Sequence, residues 1–145
     1  MKKLSLWRII LGVFSGCGLF IAIMLALAGL AIGAGWIATD SQGRLDLEHW
    51  LTLEVLGGMI ASLLSGHFSR RVAGHFAGPL WMAMILFAFG IAEAATIIGQ
   101  IWAGDVDAPI WLVLLAPWVV PAGALLGGLK QARSLPKRHH ESHPL

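Results

Sequence analysis

Residues 9–37, IILGVFSGCGLFIAIMLALAGLAIGAGWI, form an uncharged run that decides what kind of protein this is. A helix that crosses a hydrocarbon core of roughly 30 Å needs about 20 apolar residues, and this run exceeds that length. The apolar core of a signal peptide is only about 7–15 residues long, so we expect a retained membrane anchor rather than a cleaved leader. The excess length predicts a tilted helix or one that extends beyond the bilayer.

Three further apolar segments follow, at residues 50–68, 79–102 and 109–129. The links between the four segments are short, which predicts antiparallel neighbours, and backbone groups cannot stay unpaired in hydrocarbon. The sequence therefore predicts an all-α integral membrane domain over residues 1–130, built as an up-down bundle of four transmembrane helices. Residues 131–145 are polar and carry two prolines, which predicts a flexible tail.

The overall composition agrees with a membrane protein. Of the 145 residues, 57% are apolar and only 12% are charged, and the mean hydropathy is +0.77. An average soluble domain has about 25% charged residues. So little charge cannot cover a soluble surface, which excludes a water-soluble monomer and a disordered chain. The single cysteine, Cys17, excludes a disulfide within the chain.

The charged residues predict an orientation. Nine of the ten Lys and Arg residues fall on one side of the predicted bundle, and only Arg44 falls on the other. The acids of the links fall on that same side: Asp40, Asp46, Glu48, Asp105 and Asp107. Positive residues mark the cytoplasmic side, so we expect both termini in the cytoplasm, and no nucleic-acid partner is needed to explain the basic residues.

Small residues recur four positions apart in the first two segments. Such spacing places them on one helix face and lets two backbones approach closely. These faces predict packing within the monomer, or docking of another copy or a partner subunit. The candidate helix-packing residues are Gly12, Gly16, Gly29, Gly33, Gly58, Ser62 and Gly66.

Two acids lie inside the predicted spans. Glu93 is deep in the third span, about nine residues or roughly 13 Å from its end at Trp102. Glu54 is only about 6 Å from the beginning of the second span at Trp50. An ionisable residue at such depth is a functional hypothesis by default. The structural alternatives are a neutral inter-helix clasp for Glu93 and snorkelling to the interface for Glu54.

Each acid begins a polar stripe. Glu93, Thr96 and Gln100 repeat on one helix face, and Glu54 does the same with Ser62 and Ser65. If these faces meet, they form a polar seam for a proton, a metal ion or a cationic substrate.

Two prolines, Pro117 and Pro121, lie inside the fourth segment. Each lacks an N–H and collides with the carbonyl four residues earlier, which predicts a kink near the middle of the membrane. The freed carbonyls need donors, and a protonated Glu93 is a candidate. The functional alternative is a broken helix that lines a cation site.

The remaining polar residues indicate no catalytic centre. Arg70 and Arg71 follow the second segment, where contact with anionic lipid headgroups is expected. Three histidines of the tail, His139, His140 and His143, are consistent with a solvated segment or with weak metal binding. We find no catalytic signature and no tetrahedral ligand spacing, so the sequence predicts no enzyme, no cofactor and no metal site.

One region carries a family resemblance. LGGMIA at residues 56–61, HFSRRVAG at residues 67–74 and then Pro79-Leu80 resemble small four-helix bacterial membrane proteins of unknown function, which share a Gly-Gly-x-x-Ala span ending in a basic loop. The resemblance implies a multi-pass protein of the bacterial inner membrane and no particular activity. Small multidrug-resistance exporters have similar length, but they carry their essential Glu in the first span, where this chain has no acid.

We expect a non-enzymatic integral membrane protein that works by helix packing, as a homo-oligomer or as an accessory subunit of a larger membrane complex. The alternative is a small proton- or cation-coupled transporter that uses Glu93, Glu54 and the proline kink. A third hypothesis, a membrane enzyme acting on lipid, lacks a nucleophile or metal site.

Overall fold

The computed structural model describes residues 6–38, 46–106 and 108–133, and four helices make up most of them. They are α1 (Leu6–Gly33), α2 (Leu47–Ala73), α3 (Ala77–Ala103) and α4 (Ile110–Arg133). No strand occurs in these ranges. Each helix contains a stretch long and apolar enough to cross a membrane, which confirms the all-helical prediction and the number of candidate spans.

Glycines with positive φ end α2 and α3 at positions that hydropathy alone does not predict. Gly74 (φ 68°) ends α2, and its N–H donates to the carbonyl of Arg70; Gly104 (φ 78°) ends α3 in the same way. Left-handed backbone of this kind favours glycine because a Cβ would be strained there. The first helix ends at Gly33, four residues before the predicted end of the span, and Gly35 has a φ of 72° in the turn that follows.

The fourth helix is longer than its predicted span. It begins directly after Pro109, stays helical through Pro117 and Pro121, and continues to Arg133. Residues 131–133, which the sequence assigned to a flexible tail, are therefore helical. Residues 134–145, with the tail histidines, lie outside the described residues, as do Asp40, Arg44 and Asp107.

Asp46 caps the start of α2. Its side chain accepts from the backbone N–H of His49, and its Oδ2 lies 2.7 Å from His49 Nδ1. Its own N–H donates to the carbonyl of Ala38, which closes the link from α1. The hydrogen bond from the His49 ring and that from the His49 backbone hold the pKa of Asp46 below its usual value.

We expect the Asp46 cap to make stability pH-dependent at the acid end of the scale. Because the folded-state pKa is the lower one, the stabilisation is complete above the ordinary aspartate pKa and is lost as the pH falls below about 4. Asp46→Asn keeps a capping side chain and should flatten this dependence, whereas Asp46→Ala should lower the unfolding temperature at neutral pH too. Thermal unfolding in detergent between pH 3 and pH 7, with both variants beside the unmodified chain, measures it. Identical pH profiles for all three proteins would contradict the assignment.

Consecutive helices run antiparallel, as the short links predict. Gly12, near the start of α1, lies against Ser69 and Ala73 near the end of α2, and Leu27 lies against Gly57. We call the end of the bundle that carries Arg8 and Arg71 the basic end. The opposite end, which carries Asp46 and Asp105, is the acidic end.

The most extensive contact joins α2 to α4, which are not consecutive and run parallel. Gly58 lies against Val120, and Gly66 lies against Ala124 further along both helices in the same direction. Within the described residues α1 contacts α2 and, to a smaller extent, α3, but not α4. The second helix is therefore the centre of the bundle, with the other three packed around it.

Candidate functional site: a carboxyl pair between two helices

Glu54 of α2 and Glu93 of α3 lie side by side. Their carboxyl groups are close enough to interact electrostatically. Because α2 and α3 are antiparallel, two acids that lie 39 positions apart in the sequence reach the same level of the bundle, nearer to its acidic end than to its basic end. The two side chains that the sequence singled out separately thus form one pair.

The two carboxyls are covered unequally. Glu54 is half-buried, and its Oε2 atom is buried with no hydrogen-bond donor reaching it from the described residues. Glu93 is exposed. Two ionised carboxylates this close to each other repel, and a proton or a cation beside them relieves that repulsion. The pair is therefore a place that can hold a proton or a positive charge.

Apolar residues form the wall behind the pair. Val55 follows Glu54 and Ala94 follows Glu93, and both belong to a buried cluster with Ile97 of α3 and Val113 of α4. This cluster holds α2, α3 and α4 together near the acidic end. The cluster lies next to the carboxyls in both helices, and their open side is the exposed surface of α3 around Glu93.

The predicted polar seam does not extend beyond the pair. Thr96 and Gln100 are exposed on α3, and the Thr96 hydroxyl donates to the carbonyl of Ala92 on its own helix at 2.9 Å. On α2, the Ser62 hydroxyl donates to the carbonyl of Met59 at 3.0 Å, while Ser65 is completely buried. The two polar stripes thus meet only at Glu54 and Glu93.

Pro117 of α4 contacts α3 about one turn before Glu93. It packs against Gly90 of α3, where a Cβ added to the glycine would lie 3.0 Å from the proline Cα. On its other side Pro117 lines an apolar cavity of about 330 Å³ with Phe87, Trp118 and Pro121. The lining of this cavity is apolar, and the expectation that Pro117 completes a cation site with Glu93 stays a prediction.

Glycines on two of the predicted faces lie inside the monomer. A Cβ on Gly12 would lie 2.8 Å from the Ser69 carbonyl oxygen, and one on Gly16 would lie 2.8 Å from the sulfur of Met82. Gly58 and Gly66 face α4 in the same way. These contacts, together with the fully buried Ser62, show that α2 uses its small-residue faces to hold its own neighbours.

The α4 side of this contact was missed by the sequence interpretation, which considered only the prolines of that helix. A Cβ on Gly123 would lie 2.7 Å from the Met59 carbonyl oxygen, and one on Gly127 would fall on the Leu63 carbonyl. The signal was present, because Gly123 and Gly127 have the same four-residue spacing as the glycines of α1 and α2.

The second pair of α1 glycines behaves differently. Gly29 and Gly33 are exposed, and a Cβ added to either would meet nothing within 4 Å. Gly18, Ala22 and Ala26 are exposed on the same helix. By helical spacing these five residues form one ridge, which points away from the face that Gly12 and Gly16 press against α2.

The two arginines after α2 have different surroundings. Arg70 donates from Nη1 to the carbonyl of Gly128 on α4, and its guanidinium carbon lies 5.8 Å from the ring centroid of Phe76. It therefore ties α2 to α4 at the basic end, a role that the lipid-contact prediction did not include. Arg71 is exposed, and the prediction of headgroup contact stays a prediction for that residue.

The described residues contain no group of three or more His, Cys, Asp or Glu side chains that could hold a metal ion. No protein-family model matches this chain, and no curated protein or solved structure matches it either.

Proposed function

We propose that this chain is a multi-pass protein of the bacterial inner membrane with both termini in the cytoplasm, and that it works without catalysis by packing against other chains. It acts as a homo-oligomer or as an accessory subunit of a larger membrane complex. The basic residues at one end and the acids at the other support the orientation. Four helices long and apolar enough to cross a membrane support the location.

The outward ridge of α1 carries this proposal. The five small residues of this ridge are exposed: Gly18, Ala22, Ala26, Gly29 and Gly33. The glycines of α2 and α4, in contrast, pack against neighbouring helices of the same monomer. In lipid, helices associate through close backbone approach at small residues, because hydrocarbon supplies no hydrophobic force between them. A flat ridge of this kind, left open by its own bundle, suits a helix from another chain.

We expect the double substitution Gly29→Leu/Gly33→Leu to weaken association by about tenfold while leaving the monomer folded, because both positions are open. Blue-native electrophoresis after extraction in mild detergent, combined with subunit counting by single-molecule photobleaching, measures it. Ala122→Leu, which adds similar bulk to an exposed position on α4, is the control and should leave association unchanged. A wild-type chain that is monomeric and free of partners, or an unaffected double variant, would reject the proposal.

A second candidate function is favoured by the carboxyl pair. We propose, as the alternative, a small proton- or cation-coupled transporter in which Glu93 and Glu54 carry the ion. The supporting observation is that the two carboxyls meet between helices, with Glu93 exposed and an apolar cluster behind them. Intramembrane acids that pair in this way mark ion pathways in many transporters.

A further inference from the structure

A positive charge lies at the basic end of the bundle, between α2, α3 and α4. Arg70 donates from Nη1 to the carbonyl of Gly128 on α4, and its guanidinium carbon lies 5.8 Å from the ring centroid of Phe76, the residue before α3. The acids of the described ranges lie toward the acidic end, and Glu54, the nearest of them along α2, is about 24 Å from Arg70. Within these ranges no carboxylate therefore pairs with the guanidinium.

An apolar groove leads away from this charge. It is the cavity of about 330 Å³ between α3 and α4, and Leu80 and Ala122 on its walls are exposed, so it opens on the surface of the bundle. Phe76 lies one turn before Leu80 on the same face of α3, which places the guanidinium at the mouth of the groove. Phe87 and Trp118 line the far end, with their ring centroids 5.1 Å apart. The groove is thus charged at one end and apolar along its walls.

The dimensions of the groove match one acyl chain. From Phe76 to Phe87 the distance along α3 is about 16 Å, and half of a hydrocarbon core is roughly 15 Å deep. A transmembrane helix is about 10–12 Å across, so it would lie over a groove of this volume rather than in it. A chain that enters at the basic end and stops at Trp118 fills the groove over the depth of one leaflet.

We propose that the α3–α4 groove binds an anionic phospholipid of the membrane, with one acyl chain in the groove and the phosphate at Arg70. Charge complementarity selects this occupant, because basic pockets between transmembrane helices bind anionic headgroups, while the apolar walls need a hydrocarbon chain. Arginine has five N–H donors, and within the described residues only Nη1 donates to the protein, which leaves the others for phosphate oxygens. The inference is independent of the proposed function, since the exposed ridge of α1 is not part of this groove.

The test uses the full chain, purified in detergent and freed of native lipid. It is mixed with equal amounts of dioleoyl phosphatidylglycerol, which is anionic, and dioleoyl phosphatidylcholine, which has no net charge. Native mass spectrometry separates the two lipid-bound forms by mass. We expect the phosphatidylglycerol-bound form of the unmodified chain to exceed the phosphatidylcholine-bound form about fivefold.

Paired variants identify the site. Arg70→Gln should bring the ratio of the two forms close to one, whereas Arg70→Lys keeps the charge and should keep the preference. Arg71→Gln removes the same charge from an exposed neighbour and should leave the ratio unchanged. Ala122→Phe fills the groove and should reduce the retention of both lipids several-fold. Its control is Leu64→Phe, which adds a ring to an exposed position on α2 outside the groove.

Circular dichroism shows whether each variant is folded. If Arg70→Gln does not fold, Arg70→Lys and Ala122→Phe still test the charge and the groove separately. Equal retention of the two lipids by the unmodified chain would overturn the proposal. An equal loss of preference in Arg70→Gln and Arg71→Gln would overturn it too, because it would indicate diffuse attraction by the whole basic end.

Other occupants of the groove give different results. Full retention of lipid by Ala122→Phe, or displacement of lipid by equimolar inorganic phosphate, would show that no acyl chain lies in the groove. The same spectra resolve monomers from dimers. Lipid on the monomer but not on the dimer would show that a second copy of the chain covers the groove, and this result would also reject the proposal.

Discussion

Gly66→Ala is expected to destabilise the bundle by about 3 kcal/mol or more, although it adds a single methyl group. The added Cβ would fall on the carbonyl of Ala124 and lie 2.8 Å from the Cα of that residue. The obstacle is backbone, so no side chain can rotate away, and α2 must separate from α4 to make room. Separation at this point opens the most extensive helix contact in the molecule.

Gly127→Ala should act in the same way from the other helix, because its Cβ would fall on the Leu63 carbonyl and lie 3.0 Å from the amide nitrogen of His67. Gly99→Ala is the matched control, since Gly99 is also inside a helix but has open space around it. In the control the gain in helix propensity should leave stability unchanged or raised. Unfolding by SDS titration in mixed micelles, followed by circular dichroism, compares the three variants. Equal stability of all three would show that α2 and α4 are not in this contact.

Glu93→Gln is expected to reduce ion flux to the level of empty vesicles if the chain is a transporter. The amide keeps the size and the hydrogen-bonding capacity of the carboxyl but cannot take up or release a proton in the physiological range. Glu54→Gln should have the same effect, because the two carboxyls form one pair. Proteoliposomes containing a pH-sensitive dye report proton flux, and exchange of the external cation shows which ion is carried.

The matched control is Glu48→Gln, whose carboxyl is exposed in the first turn of α2 and should not affect transport. SDS unfolding of the same variants separates transport from a structural clasp, because Gln preserves a hydrogen bond and should leave stability largely intact. A wild-type chain without flux above empty vesicles, or full flux in both Glu→Gln variants, would reject the transporter alternative.

Most of the architecture could be predicted because its causes are local. The length and apolarity of each segment determine that it is helical, and the short links determine that successive helices run in opposite directions. The exact helix ends were harder to predict, because they depend on single residues. Gly35 turns the chain just after α1, before the apolar run stops, whereas α4 simply continues through polar residues to Arg133.

The candidate site was predicted only in part. Glu54 and Glu93 stand out in any apolar segment, so composition alone was enough to select them. Their contact was not predictable, because it depends on how α3 packs against α2 and α4. Gln100 lies on α3 with Glu93, and Pro117 contacts α3 at Gly90, but the described hydrogen bonds join neither of them to the pair.

For the glycines, spacing determined which faces are flat, and the tertiary structure decided what each face touches. Gly12 and Gly29 belong to the same kind of motif, but a Cβ on Gly12 would lie 2.7 Å from the Cβ of Ala73, whereas one on Gly29 would meet nothing within 4 Å. The physical reason is that helical periodicity assigns every residue to a face but does not determine which neighbouring helix, if any, that face contacts. A sequence records which side chains are small along every face, whereas only the packed bundle determines which of those faces has another backbone within reach.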